Sequence, residues 1–205
     1  IQMRINMSEQ KHLEFQQVRF GMPYNGYRSA IKKTLFHPKA DEGRRNEFRA
    51  KIAQYEEKNR AIVYLDESGF AVDSPRTYGY SQKGQRCYGE RDWHARGRVN
   101  AIGAIIEDDL ITVSVFEVNI DSDIFYAWLT QDLIPKLPKG SIVVMDNATF
   151  HKRTDMIEAL ITAGHIPEYL PPYSPDLNPI EHKWAQVKAI RKQKRCSVSE
   201  VFSYV

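Results

Sequence analysis

Residues 61–69 read AIVYLDESG: five consecutive apolar residues followed at once by two acids, a serine and a glycine. A continuous apolar run of that length, closed by a turn signal, is the pattern of a strand buried on both faces. Such strands belong to α/β sheets, which gather their ligands beyond the carboxyl ends of the strands. Alternation sends Asp66 and Glu67 to opposite sides, so only one of them faces a given site, and continuation of the strand favours Asp66. Carboxylates at strand ends also make ordinary turns, so this run alone assigns no role.

Working outward, a second run of the same kind follows at 141–145, SIVVM, and it too ends in an acid, Asp146, followed by Asn147. Between the two, RVNAIGAII at 98–106 and LITVSVFEV at 110–118 are β-rich segments joined by Glu107, Asp108 and Asp109, which predicts a hairpin. Residues 121–133 predict a helix with Ile124, Phe125, Trp128 and Leu129 on its inner face, stopped by Pro135 and Pro138. A helix over 152–163 and a short strand over 165–170 come next.

These lead into PPYSPDLNPIEHKWAQVK at 171–188. The prolines and Ser-Pro-Asp hold the approach extended and turning. Asn178 then suits an N-cap, Pro179 the first helical position, and Glu181 a first turn whose dipole favours an anion. Ile180, Trp184, Val187 and Ile190 form the expected buried stripe. Glu181, Lys188 and Lys192 share a neighbouring face. Glu three residues after an Asn is also the spacing of a capping box, so Glu181 alone supports a cap as well as a catalytic role.

The chain has 205 residues, 42% of them hydrophobic, enough for a full core and an appendage. It contains no apolar run of membrane-spanning length and opens without a signal-peptide hydrophobic region, so no membrane association and a cytoplasmic location are expected. Cys87 and Cys196 lack the spacing of a zinc site or a disulfide framework. Net charge is +3, but residues 1–60 carry +6, residues 61–180 carry −7 and residues 181–205 carry +4. An acidic middle between basic ends suits a site that holds cations and binds a polyanion, although charge runs are commonly just solvated surface. Residues 10–58 read as helical with basic positions from Arg28 to Lys51. Residues 70–98 interleave Arg76, Lys83 and Arg86 with tyrosines and Trp93, a composition shared by nucleic-acid contacts and by aromatics packed on a sheet or a second subunit.

Asp66, Asp146 and Glu181 come from two strand ends and a helix start, where adjacent strands would let them converge. Three oxygen donors without His or Cys suit Mg²⁺ or Mn²⁺. Two such ions serve in-line displacement at phosphorus. YLDESGF at 64–70, VVMDNATFHK at 143–152 and YLPPYSPDLNPIEHKWAQVK at 169–188 resemble the catalytic blocks of DDE transposases of the mariner superfamily, in its bacterial insertion-sequence branch. Thirty-four residues separate Asp146 from Glu181, the family spacing, and RTYGYSQKGQRCYG at 76–89 extends the likeness.

The resemblance implies an α/β fold, RNase H-like and akin to retroviral integrases, with a mixed five-stranded sheet flanked by helices over 61–195. A basic helical appendage would precede it over 1–60, an insertion would span 70–98, and a tail would follow over 196–205. It implies Asp66, Asp146 and Glu181 as metal-holding catalytic residues with two Mg²⁺ ions per site, Mn²⁺ substituting. Double-stranded DNA is the implied substrate, cut at element ends and joined to target by the freed 3′ hydroxyl, by a homodimer in a bacterial or archaeal cytoplasm. Asn147, His151 and Asn178 match motif positions: Asn147 is expected to orient a carboxylate, His151 to contact DNA and Asn178 to cap, with a plain core or capping role the alternative for all three. Arg76, Lys83, Arg86, Lys152, Lys188 and Lys192 are the expected DNA contacts. The family's paired helix-turn-helix units have only TLFHPKADEGRR at 34–45 as a junction here, so the resemblance implies a shortened DNA-binding region. Two other functions fit the same residues: an RNase H-like nuclease, and a non-catalytic remnant that binds DNA or dimerises as a regulator.

Overall fold

The computed structural model describes residues 38–73, 79–89, 94 and 97–205. The chain divides into a unit of residues 1–33 and 76–90 and a larger unit of residues 34–75 and 91–205. Of the smaller unit, residues 79–89 are described. They form an exposed stretch with a turn at Lys83 and Gly84, where Ser81 Oγ donates to the Gln85 carbonyl at 2.8 Å.

The larger unit is built on a mixed five-stranded sheet. Its strands are β1 (Ile62–Ala71), β2 (Arg98–Ile106), β3 (Asp109–Phe116), β4 (Ile142–Met145) and β5 (Ile166–Tyr169), in the order β3-β2-β1-β4-β5. The hairpin of β2 and β3 is antiparallel, β2 is antiparallel to β1, and β4 and β5 run parallel to β1. Parallel neighbours need a crossover, and helices supply it. Asp121 caps α2 (Ser122–Trp128) by accepting from the Asp123 and Ile124 N–H groups. Beyond Trp128 the helix does not stop at Pro135, as the sequence suggests. It widens to a π turn over Leu129–Leu133 and tightens to a 3-10 turn over Ile134–Lys136, which accommodates the missing proline N–H. A 3-10 turn (Thr149–Lys152) and α3 (Thr154–Thr162) link β4 to β5.

Side-chain alternation sorts the strands into two apolar layers. Val63 and Leu65 of β1, Ile102 and Ala104 of β2, and Val143 and Met145 of β4 pack with Phe125, Trp128, Met156 and Leu160 of α2 and α3. On the other face, Phe70, Ala101 and Ile105 pack with Ile180, Trp184 and Val187 of α4 (Ile180–Lys194) and with Val198 and Val201 of α5 (Val198–Val201). Ile62, Ile142 and Val144 on that face meet Phe48 and Ile52 of α1 (Glu42–Glu57). Each such buried aliphatic or Phe side chain contributes about 1.5–3 kcal/mol.

Helix α1 sits in the same compact unit as the sheet. Asp41 caps it, and two polar clamps fix it. Arg45, 1% exposed, donates to both carboxylate oxygens of Asp176 at 2.9 and 2.6 Å, while Lys51 and Tyr55 both donate to Glu168. Among the described residues no helix is long and apolar enough to cross a membrane.

Candidate active site

Strand β1 does not end at Leu65. It continues through Asp66 and Glu67 to Ala71, because β2 goes on pairing with it as far as Ala71 and Arg98. Its pairing with β4, by contrast, covers only Ile62–Tyr64 against Ile142–Val144. Asp66 therefore sits two residues past the last β1–β4 pair, and Asp146 is the first residue beyond β4. Both acids stand at the cleft where two parallel strands part, the expected ligand position in an α/β sheet.

Asp66 shares the parity of Ile62, Tyr64 and Phe70 and so faces the α4 layer, while Glu67 shares that of Val63 and Leu65 and faces α2 and α3. The alternation expected from the sequence holds. Across the ladder Asp66 pairs with Gly103, and Trp184 of α4 packs where a Gly103 side chain would be. Glu181, one turn before Trp184, lies exposed in the first turn of α4 on this side of the sheet. Burial pushes Asp66 up to about 7, and the charges of Glu67, Glu181 and Asp146 act in the same direction.

The start of α4 differs from the sequence expectation. The N-cap position is Pro179, with no side-chain cap hydrogen bond, so neither an Asn178 cap nor a capping box forms. Asn178, 3% exposed, ends the 3-10 turn Pro175–Leu177, and its Nδ2 donates to the Leu65 carbonyl at 3.4 Å. Its side chain thus reaches β1 immediately before Asp66 instead of closing its own helix. Asn147 likewise bonds no carboxylate: its Nδ2 donates to the Leu170 carbonyl, tying the ends of β4 and β5 together.

His151 is 1% exposed and does not present a DNA contact. Its Nδ1 lies 2.6 Å from Asp146 Oδ1 and its Nε2 lies 2.9 Å from Glu67 Oε1. An ionised carboxylate only accepts, so both ring nitrogens donate. Burial opposes the charge on His151, but the two carboxylates outweigh it and raise the imidazole to about 9. The His151 hydrogen bond in turn holds Asp146 below the usual carboxylate range, helped by the Ala148 N–H. The sequence argument left out Glu67; the signal that would have found it is its parity opposite Asp66 combined with a His five residues after Asp146.

The expected DNA contacts fall in separate places. Lys188 and Lys192 line a cleft of about 350 Å³ with Gly69, Phe70, Ala71 and Arg191, and Lys188 Nζ stands 5.4 Å from the Phe70 ring centre. Lys152 is exposed beside the Tyr169 ring. Lys83 and Arg86 are exposed on the 79–89 stretch, and Arg76 lies outside the described residues, as do Arg28 and Trp93. Arg191, which the sequence did not single out, is 7% exposed and donates to the Ala71 and Val72 carbonyls at 2.6 Å each, joining α4 to the end of β1. A second cleft of about 210 Å³, lined by Leu170, Pro172 and Tyr173, opens beside Asp146.

Among the described residues no three His, Cys, Asp or Glu groups stand close enough to form a ready-made metal site. The candidate donors Asp66, Asp146 and Glu181 nonetheless fit a hard cation in kind, since all three offer carboxylate oxygens.

A family model described as DDE superfamily endonuclease matches residues 61–200. No curated protein matches the chain. Among solved structures, it resembles the Mos1 transposase paired-end complex with left transposon end, at 20% identity and a TM-score of 0.62, over 81% of this chain and 54% of that one. The mariner Mos1 paired-end complex with Mg gives 21% and 0.62, over 80% and 53%. The Mos1 transposase catalytic domain with Raltegravir and Mg gives 16% and 0.53, over 83% and 82%. The chain thus spans about half the length of the transposases in those complexes and most of the isolated catalytic domain, and the shared feature is the RNase H-like fold.

Proposed function

Because the chain belongs to the DDE superfamily of endonucleases, we propose that its larger unit is a transposase catalytic domain that cuts DNA at element ends and joins the freed 3′ hydroxyl to target DNA. The observation that carries this reading is the placement of Asp66 and Asp146 where β1 and β4 part, with Glu181 on the helix over the same side. Asp66, Asp146 and Glu181 would hold divalent cations, Mg²⁺ or Mn²⁺, two per site. When bound, such ions polarise the phosphate and generate the attacking oxygen. The protein's own part is to hold the carboxylates on rigid elements. Asp66 is fixed by the β1–β2 ladder, Asp146 by the Ala148 N–H and His151, and Glu181 by the seating of α4 through Trp184 and Arg191.

Lys188 and Lys192, in the cleft beside the end of β1, would carry the DNA backbone past the carboxylates, with Lys152 on the other side. Lys83, Arg86 and Arg76 of the insertion would add contacts to DNA or to a second subunit, in a homodimer of the kind the paired-end complexes of Mos1 suggest. The catalytic unit would take in α1 and α5 as well as the segment 61–195, given how both helices pack.

A supercoiled plasmid and Mn²⁺ test the reading. The native chain should nick it, and Asp146→Asn, with its fold checked by circular dichroism, should not. An Asp146→Asn variant that nicks as fast as the native chain would overturn it.

A further inference from the structure

The backbone gives no support to the spacing between Asp66 and Asp146. Pairing between β1 and β4 has already stopped at Tyr64 and Val144, so the two acids project from strands that are no longer hydrogen-bonded to each other. One side chain spans that gap. His151 meets Asp146 with one ring nitrogen and Glu67, the residue next to Asp66, with the other. We propose that His151 is a positioning residue for the metal-holding carboxylate Asp146, and that Glu67 holds His151 for that purpose. The inference rests on the metal-site reading above.

Three observations support it. First, the two hydrogen bonds given to the Asp146 carboxylate, from His151 and from the Ala148 N–H at 2.8 Å, both end on Oδ1, which leaves Oδ2 as the oxygen available to a cation. Second, His151 is held by further contacts: its ring centre stands 4.5 Å from that of Phe125, and its backbone carbonyl accepts from the Tyr169 hydroxyl at 2.9 Å. Third, Glu67 and Asp66 are consecutive on one rigid strand and point to opposite faces. A line from Glu67 through His151 to Asp146 therefore fixes the second acid relative to the first. Hydrogen-bond partners of this kind set the orientation and basicity of a ligating group.

The test uses Mn²⁺ itself as the probe and reads the midpoint of its stabilising effect on thermal melting of the full chain, alongside the Mn²⁺ dependence of plasmid nicking. His151→Asn places an amide N–H near the position of Nδ1 and keeps the bond to Asp146. His151→Gln places one near Nε2 and keeps the bond to Glu67 only. The expected result is a Mn²⁺ midpoint raised about 10-fold or more in His151→Gln and largely restored in His151→Asn. Likewise Glu67→Ala should raise the midpoint and Glu67→Gln should retain it. A purely structural role would lower the metal-free melting temperature in all of them and leave the midpoint where it is, and that result overturns the proposal. If the His151 variants do not fold, the Glu67 pair decides by the same criterion. Asp146→Asn separates the two levels of inference. If it also keeps the native midpoint, the metal-site reading has failed; if it alone loses Mn²⁺ binding, only the positioning role has.

Discussion

A Cβ added to Gly103 would stand 2.7 Å from Cη2 of Trp184 and 3.2 Å from its Cζ2. Gly103 is the cross-strand partner of Asp66, so the indole fills the space directly beside the proposed metal-holding strand position. Trp184 is 1% exposed and has Phe70 and Phe202 against it edge-on at 6.2 and 6.4 Å. The glycine therefore sets how closely α4, and Glu181 with it, approaches β1.

Gly103→Ala should be destabilising by about 1–3 kcal/mol, because the ring is walled in by other aromatics and cannot yield to a Cβ at 2.7 Å. Metal-dependent nicking should fall as well, since any shift of Trp184 moves the turn that carries Glu181. Thermal melting and plasmid nicking measure the two effects; an alanine variant native in both would show that α4 tolerates displacement.

Arg191→Met should cost about 2 kcal/mol or more. The buried guanidinium serves the Ala71, Val72 and Cys196 carbonyls, and its loss leaves these three acceptors without their charged donor. Arg191→Lys should recover little, because a single ammonium does not reproduce the planar fork. Urea unfolding of the three proteins gives the comparison.

The Arg45–Asp176 pair predicts acid sensitivity at the α1 contact. Arg45 holds the Asp176 carboxyl below the usual carboxylate range. That contribution is present above the unfolded-state value of about 3.9 and is lost as pH falls through the lower folded value. Asp176→Asn should remove this part of the acid dependence and lower stability modestly at neutral pH, since the carboxylate side chain is 43% exposed and screened by water. A stability profile from pH 2 to 7 that is identical in the two proteins would exclude the pair as a contributor.

At the alkaline end the clamp on Glu168 should fail. The hydrogen bond to Glu168 and burial raise Tyr55 to about 12, so the neutral phenol contributes stability that is full below about pH 10 and lost as pH rises toward 12. Burial raises Tyr64 to about 12 as well, which adds to the same window. Tyr55→Phe should flatten part of the loss between pH 10 and 12 in a pH series of melting temperatures. An unchanged slope would exclude Tyr55 as a contributor.

The two apolar runs ending in Asp66 and Asp146, the hairpin at 98–116 and the stripe of Ile180, Trp184 and Val187 were all legible in the sequence, because burial on a regular element leaves a period behind. Less legible was anything that depends on a partner distant in the chain. Asn178 has every local property of a cap, yet its amide is drawn to the Leu65 carbonyl 113 residues away. Strand β1 looks finished at Leu65 because Asp, Glu, Ser and Gly have low strand preference; pairing with β2 carries it on to Ala71. Arg45 and Arg191 carry no sign of burial in the sequence and are buried, one on Asp176 and the other on the Ala71, Val72 and Cys196 carbonyls.

By itself, then, the sequence determined the α/β class, the spacing of Asp146 and Glu181, and the opposite facing of Asp66 and Glu67, since each depends on local periodicity or on separation along the chain. Only the tertiary structure decided what holds those acids in place. The parting of β1 from β4 leaves Asp66 and Asp146 without backbone pairing between them, and a buried histidine closes that gap through a glutamate on the opposite face of the sheet. Hydrogen bonds between side chains 84 positions apart have no period and no composition, so nothing in the linear chain announces them.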